Sequence, residues 1–268
     1  MLTRFFLMIL LALPVAAQSQ QSMRKLLSAD EAKAWQAVGR INMQGAGFCT
    51  GALIAPNLVL TAAHCMYHPK TGERLASDRI HFLAGWRQGR AAAHGQARRT
   101  IVHPDYVHGN AAEVERVAVD IAIVELEHPI RNAAILPFER VERPDIGDKV
   151  MVVSYAKDRA EIPSIEEPCE VLGKDERVMV LSCTVNFGSS GSPIFVMENG
   201  VAKIASVVSA KANWQDKNVA LGTSLGAPLE ELLAHLAQDN GVFKSRKPGR
   251  LSLAEQLGRN SANKFLTN

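Results

Sequence analysis

At 268 residues the chain is long enough for one large domain or two small ones with an ample core, and 47% of it is hydrophobic. The 30 basic and 27 acidic residues are well mixed and leave a formal charge of +3, which gives no basis for a nucleic-acid partner. The four cysteines, Cys49, Cys65, Cys169 and Cys183, contain no closely spaced pair of the kind a structural zinc site uses.

The first element is a leader. MLTRFFLMILLALPVAAQSQ sets one arginine ahead of an apolar run and closes it with the small residues Val15, Ala16 and Ala17, the arrangement of a cleavable secretory signal over residues 1–17. The run from Phe5 to Leu13 is well short of the roughly 20 apolar residues a membrane span needs, and no later segment reaches that length. A mature protein without a membrane span, secreted or periplasmic, is therefore expected. Residues 18–34, QSQQSMRKLLSADEAKA, read as an N-terminal extension or short pro-segment with a basic cut site at Arg24-Lys25.

From Trp35 onward, short β-branched and apolar runs at 52–54, 58–60, 80–83, 121–126, 150–153, 178–181, 193–196 and 204–208 are punctuated by Gly, Pro, Asn and Asp. This is the pattern of an antiparallel sandwich or barrel. FCTGALIAPNLVLTAAHC, Phe48 to Cys65, predicts a hairpin with a Pro-Asn turn that presents His64 beside a cysteine. Held in hydrogen-bond reach of a target, such an imidazole is a general base. It could equally be a histidine without catalytic duty, or share a helix face with His68 as a metal pair, although no acidic residue lies between them as in H-E-x-x-H and Pro69 limits the helix. In VAVDIAIVELEHPI, Asp120 opens an apolar strand. A carboxylate entering a core needs a partner, which an imidazole N–H would supply, while an Asp capping a turn is an equal alternative.

Residues 127–149, with prolines at 129, 137 and 144, read as an extended connector between two β halves. NFGSSGSPIF, residues 186–195, crowds Ser189, Ser190 and Ser192 between glycines, which is either a turn or the seat of a nucleophile. Leu229, Leu232, Leu233 and Leu236 recur at helical spacing and predict a packed C-terminal helix. In the tail, residues 239–268, from Gly241 onward Lys244, Arg246, Lys247, Arg250, Arg259 and Lys264 face only Glu255, as a solvated basic extension would. In an oxidising compartment the four cysteines allow three disulfide pairings, of which the sequential one closes two short loops worth roughly 3 kcal/mol each.

Taken together, FCTGALIAPNLVLTAAHC, IVHPDY (Ile101 to Tyr106) followed by DIAIVEL, and GSSGSPIF resemble the chymotrypsin-like, or trypsin-like, serine proteases over most of the chain from Trp35 to about Leu236. GSSGSP is most similar to the bacterial glutamyl-endopeptidase-like branch. The resemblance implies an all-β peptidase domain over 35–238, made of two antiparallel six-stranded barrels that join at about 127–149, with a cleft between them and a C-terminal helix after them. It implies an exported serine endopeptidase acting on protein or peptide substrates, with no cofactor and no metal. The motif match gives His64, Asp120 and Ser190 as the catalytic triad, and Gly188 with Ser190 as oxyanion donors. The order His, Asp, Ser and the lack of a G-x-S-x-G elbow separate the chain from α/β-hydrolases. The specificity pocket should have its base near Thr184 and its walls at Ser209 to Lys211 and near Ala220. None of these is a carboxylate, so a preference for Lys or Arg is not expected, whereas small neutral and acidic substrates both remain open. Cys49 should pair with Cys65, flanking the His64 hairpin, and Cys169 with Cys183. The trypsin branch carries an aspartate before its nucleophile that pairs with a freshly cut amino terminus. This chain has Ser189 there and no Ile-Val-Gly-Gly-like start, so that switch does not carry over. The alternatives are a non-catalytic family member acting as a binding module, and a metal-dependent hydrolase built on His64 and His68.

Overall fold

The computed structural model describes residues 22–109, 114–141, 144–238 and 243–244. The signal segment and most of the basic tail lie outside the described residues. The first barrel is built from β2 (Val38–Met43), β3 (Gly47–Ala55), β4 (Leu58–Thr61), β5 (Ile80–Ala84), β6 (Ala93–Val102) and β7 (Ala122–Leu126). All pairs are antiparallel, and the sheet runs β5-β2-β3-β4-β7 and closes through β6. The second holds β8 (Lys149–Ser154), β9 (Ser164–Lys174), β10 (Val178–Leu181), β11 (Pro193–Glu198), β12 (Val201–Trp214) and β13 (Lys217–Ser224), closed by pairing of β8 with β9. The helix α3 (Gly226–Ala237) follows. The two six-stranded barrels and the C-terminal helix match the expected fold class.

The apolar runs of the sequence all fall on strands, to within a residue at 121. Alternation does the same for β2, where Gly39, Ile41 and Met43 are buried while Arg40 and Asn42 stay partly exposed. β7 is buried along its whole length, including Glu125, whose carboxylate is met by Arg98 Nη1 at 3.2 Å and by Arg99 Nε. The Pro56-Asn57 turn between β3 and β4 has a second use, because its carbonyls accept from Ile130 N–H at 2.7 Å and Leu126 N–H at 2.9 Å, anchoring the start of the connector.

Where the barrels meet, Phe195 of β11 lies 5.1 Å from Trp35 and 4.6 Å, edge-on, from Phe138 of the connector. In α3, Leu229 and Leu232 are buried and Leu233 and Leu236 pack partly buried against the same core. His103, just after β6, ties α3 down through Nε2 to Glu231 at 3.0 Å.

The segment before Trp35 is built into the fold. β1 (Ser22–Lys25) adds a seventh strand beside β9, Leu26 is fully buried, and Arg87 of the first barrel donates through Nη1 to the Leu26 and Ser28 carbonyls at 2.7 and 2.8 Å. The short helix α1 (Ala29–Lys33) is started by a capping box between Ser28 and Glu31. β14 (Phe243–Lys244) similarly adds to β6.

Candidate active site

The β3–β4 hairpin delivers the chain into a 3₁₀ turn, Ala63–Met66, that carries His64, and the disulfide Cys49–Cys65 fastens this turn back to β3. The second disulfide joins Cys169 to Cys183, so the sequential pairing is the one formed. Asp120 sits between the short helix α2 (Val114–Val117) and β7, and is 4% exposed. One of its oxygens, Oδ1, accepts from the His64 backbone N–H at 2.8 Å, while Oδ2 lies 2.7 Å from His64 Nδ1. A carboxylate only accepts, so Nδ1 must carry a proton, and in the neutral ring Nε2 is left with its lone pair.

Ser209 also donates to Asp120 Oδ2 through its hydroxyl. It can do so because it is the extra residue of a β-bulge: Val208 pairs with Gly222 and Ala210 with Leu221, so Ser209 has no cross-strand partner and is re-aimed. The sequence placed Ser209 in the substrate pocket. It lines a cavity beside Ser190 and is also the third donor to Asp120.

Burial opposes a charged imidazole, but the charge of Asp120 and its hydrogen bond outweigh it, and the His64 pKa lies above the ordinary 6.5 even though Arg116 pulls it down. Burial likewise works against the Asp120 carboxylate, yet His64, Ser209 and the His64 backbone hold it below the ordinary 3.8.

Ser190 enters from the other barrel, at the end of the loop before β11. Its carbonyl accepts from Thr50 N–H at 2.9 Å, and Gly191 N–H donates to the Val208 carbonyl at 2.8 Å, one residue before the bulge. Gly191 has φ +77°, and a Cβ there would fall 2.1 Å from Thr61 Oγ1 and 2.9 Å from Ala62 N. Its bare backbone thus lets the Ser190 loop rest directly on the strand end that leads into His64.

Gly188 has φ +96°, and an added Cβ would strike the Phe48 ring at 2.4 Å. The Phe187 carbonyl accepts from Lys157 N–H at 2.8 Å. In a planar trans peptide the Gly188 N–H points the opposite way, away from Lys157. The fully buried Thr50 clamps this loop, its Oγ1 donating to the Gly188 carbonyl at 2.8 Å and accepting from Tyr155 N–H at 3.0 Å.

Beside Ser190 is a cavity of about 160 Å³ lined by Val185, Asn186, Phe187, Val208, Ser209, Ala210 and Lys211. Lys211 Nζ lies 5.4 Å from the centre of the Phe187 ring. Thr184, expected at the base of this cavity, is not in its lining. Its N–H donates to Glu166 Oε1 at 2.7 Å, which turns it into a neighbouring cavity of about 370 Å³ shared with Met23, Asp158 and Arg159. Ala220 is buried in the core of the second barrel and is no pocket wall either. His68 is used apart from His64, its Nδ1 accepting from the Lys70 and Thr71 backbone at 3.3 and 3.2 Å.

Thr50 and Arg159 were missed in the sequence, since a threonine in a strand and an arginine in the run KDRAE carry no local signal. The aromatic wall next to His64 was missed too. In it Tyr67 stacks on His108 at 4.5 Å, and burial, then the charge of His64, lower the His108 pKa.

A family model described as Trypsin matches residues 27–224. Among curated proteins, the chain is 30% identical to mannan-binding lectin serine protease 1 of Rattus norvegicus over 125 residues, 42% of this chain and 17% of the relative. It is 36% identical to trypsin V-A of Rattus norvegicus over 85 residues, covering 32% of this chain and 30% of the relative, and 27% identical to serine protease 23 of Bos taurus over 55% of this chain and 43% of the relative. The chain thus spans less than half the length of these relatives. A solved structure titled as a Glu endopeptidase in complex with MPD superposes with a TM-score of 0.66 at 18% identity, over 83% of this chain and 100% of that one, which is a likeness of fold.

Proposed function

The chain belongs to the trypsin family, and from that premise we propose that it is an exported serine endopeptidase whose triad is His64, Asp120 and Ser190. The observation that carries this reading is the His64–Asp120 pair, set at 2.7 Å in one barrel, with the Gly191 backbone seating Ser190 against Thr61–Ala62 from the other. Ser190 Oγ attacks the scissile carbonyl carbon as His64 Nε2 takes its proton, and Asp120 stabilises the imidazolium. The Gly188 and Ser190 N–H groups receive the charge on the carbonyl oxygen, each donor worth roughly 3 kcal/mol in the transition state. The C–N bond then breaks, His64 returns the proton to the leaving amine, and water, activated by the same imidazole, releases the acyl group. The cavity of about 160 Å³ beside Ser190 receives the side chain on the acyl side of the cut. Its lining contains no carboxylate to pair with a basic side chain, and Lys211 supplies a positive charge that favours neutral or acidic ones. Two disulfides suit an exported protein.

Ser190→Ala is expected to abolish peptide cleavage and covalent capture by a fluorophosphonate, while Ser189→Ala and Ser192→Ala, which keep the nucleophile, still take the label and retain measurable cleavage. A wild-type protein that neither cleaves peptides nor takes the label would instead be a non-catalytic family member acting as a binding module.

A further inference from the structure

The loop that holds Gly188 and Ser190 is tied to a single 3₁₀ turn, Lys157–Arg159, on both sides of Gly188. Before the glycine, Lys157 N–H holds the Phe187 carbonyl at 2.8 Å and so sets the direction of the Gly188 N–H. After it, the Arg159 guanidinium reaches in from the same turn. It is 5% exposed, and it forks between the Ser154 carbonyl at the end of β8, 2.7 Å from Nη1, and Ser189 Oγ, 3.2 Å from Nη2. A buried guanidinium is costly unless it is met by acceptors and counter-charge. The counter-charge comes from Asp158 and from Glu166, which is 4% exposed and whose carboxylate also holds Thr184 N–H. Ser189 Oγ in turn faces Asn186 N–H at 3.5 Å, so the fork lies against the inner side of the loop.

We propose that Arg159 is a positioning residue for the reaction, a built-in cation that holds Ser189, and through it the Gly188–Ser190 segment, in the conformation that receives the oxyanion. The proposal rests on the reading of Ser190 as nucleophile. Arg159 does not touch substrate. Its effect falls on the transition state, because the N–H groups it orients bind the developing oxyanion more strongly than the ground-state carbonyl. Together with the Thr50 clamp from the first barrel it makes the order of this loop a property of the folded core, since the ties come from residues 157–159 and from β3 and none from a chain terminus.

The test uses the full mature protein as wild type, Arg159→Met and Arg159→Lys. Each is assayed for kcat and KM on a peptide substrate and for inhibition by a peptide aldehyde, whose tetrahedral adduct places an oxygen where the oxyanion forms. Arg159→Met is expected to lower kcat by about 10- to 100-fold and weaken the aldehyde by a similar factor while KM stays within about threefold. Arg159→Lys keeps the charge but not the fork, and should lose about tenfold in both kcat and aldehyde affinity. Equal melting temperatures separate this from general unfolding. If Arg159→Met does not fold, the lysine variant decides. A folded variant with wild-type kcat and wild-type aldehyde affinity overturns the proposal, as does a loss confined to KM. A wild-type protein inert to fluorophosphonate would remove the reading of Ser190 and the proposal with it, and that outcome is visible before any Arg159 variant is compared.

Discussion

As the proposed general base, His64 works only with a free lone pair on Nε2, so kcat/KM is expected to rise with pH through its folded-state pKa. Asp120 holds that value above 6.5, and the acid limb of the pH–rate profile is expected at a midpoint above 6.5. In Asp120→Asn burial and the charge of Arg116, both of which favour the neutral ring, prevail. The limb then moves to lower pH, and kcat falls on the order of 10⁴-fold because the tautomer is lost. A limb that stays put in the variant would assign it to another group. The same pair links stability to pH with opposite signs. The contribution of Asp120, whose pKa is depressed, is present above its ordinary 3.8 and lost as pH falls through the folded value. That of His64, whose pKa is raised, is present below 6.5 and lost as pH rises through the folded value. At the cavity beside Ser190, Lys211→Glu reverses the charge in a lining without carboxylates. It is expected to shift the kcat/KM ratio of basic over acidic side chains at the cut by at least about tenfold. An unchanged ratio would place Lys211 outside the specificity site. His64, Asp120 and Ser190 were legible as candidates because each sits in its own short motif. Thr184 was misplaced because counting back from Ser190 cannot see that Glu166, from another strand, takes hold of its backbone.

The elements that could be read were those whose residues declare their own environment. The hairpin 48–65 has its turn residues and apolar flanks in one stretch, and α3 has leucines at helical spacing. By contrast β6, AHGQARRTIV, and β9, SIEEPCEVLGK, are polar enough to pass for loops, and they become strands because barrel neighbours pair with them on both sides. The bulge at Ser209 is of the same kind, a shift of register against β13 that the sequence of β12 does not announce. β1 is the element with the largest consequence. It is paired along four residues to β9, and Leu26 after it is fully buried. Leu26→Ala is therefore expected to cost about 2–5 kcal/mol, read as a lower denaturant midpoint at unchanged m. A loss below about 1 kcal/mol would mean that the segment adds little to the fold. Cutting at Arg24-Lys25 requires β1 to leave its sheet first, since a protease needs the chain extended and free.

On the scale of the whole molecule, the candidate site is a product of two barrels. The first supplies His64 and Asp120 from the turn after β4 and the approach to β7, and the second supplies Ser190 and Ser209 from the loop before β11 and the bulge in β12. The aromatic contacts of Phe195 with Trp35 and Phe138, and α3 lying back on the first barrel through His103 and Glu231, hold the halves together. The sequence by itself determined the all-β class, the three candidate residues, the order in which they occur and the closing helix, because hydrophobic period, turn chemistry and motif spacing are local properties of the chain. Tertiary structure alone decided how the site is supported and shaped. The Thr50 clamp spans 138 positions to Gly188, the Ser209 bond spans 89 to Asp120 and the Arg159 bond spans 30 to Ser189. Which buried polar group meets which over such separations depends on barrel closure and register, and no short stretch of residues encodes either.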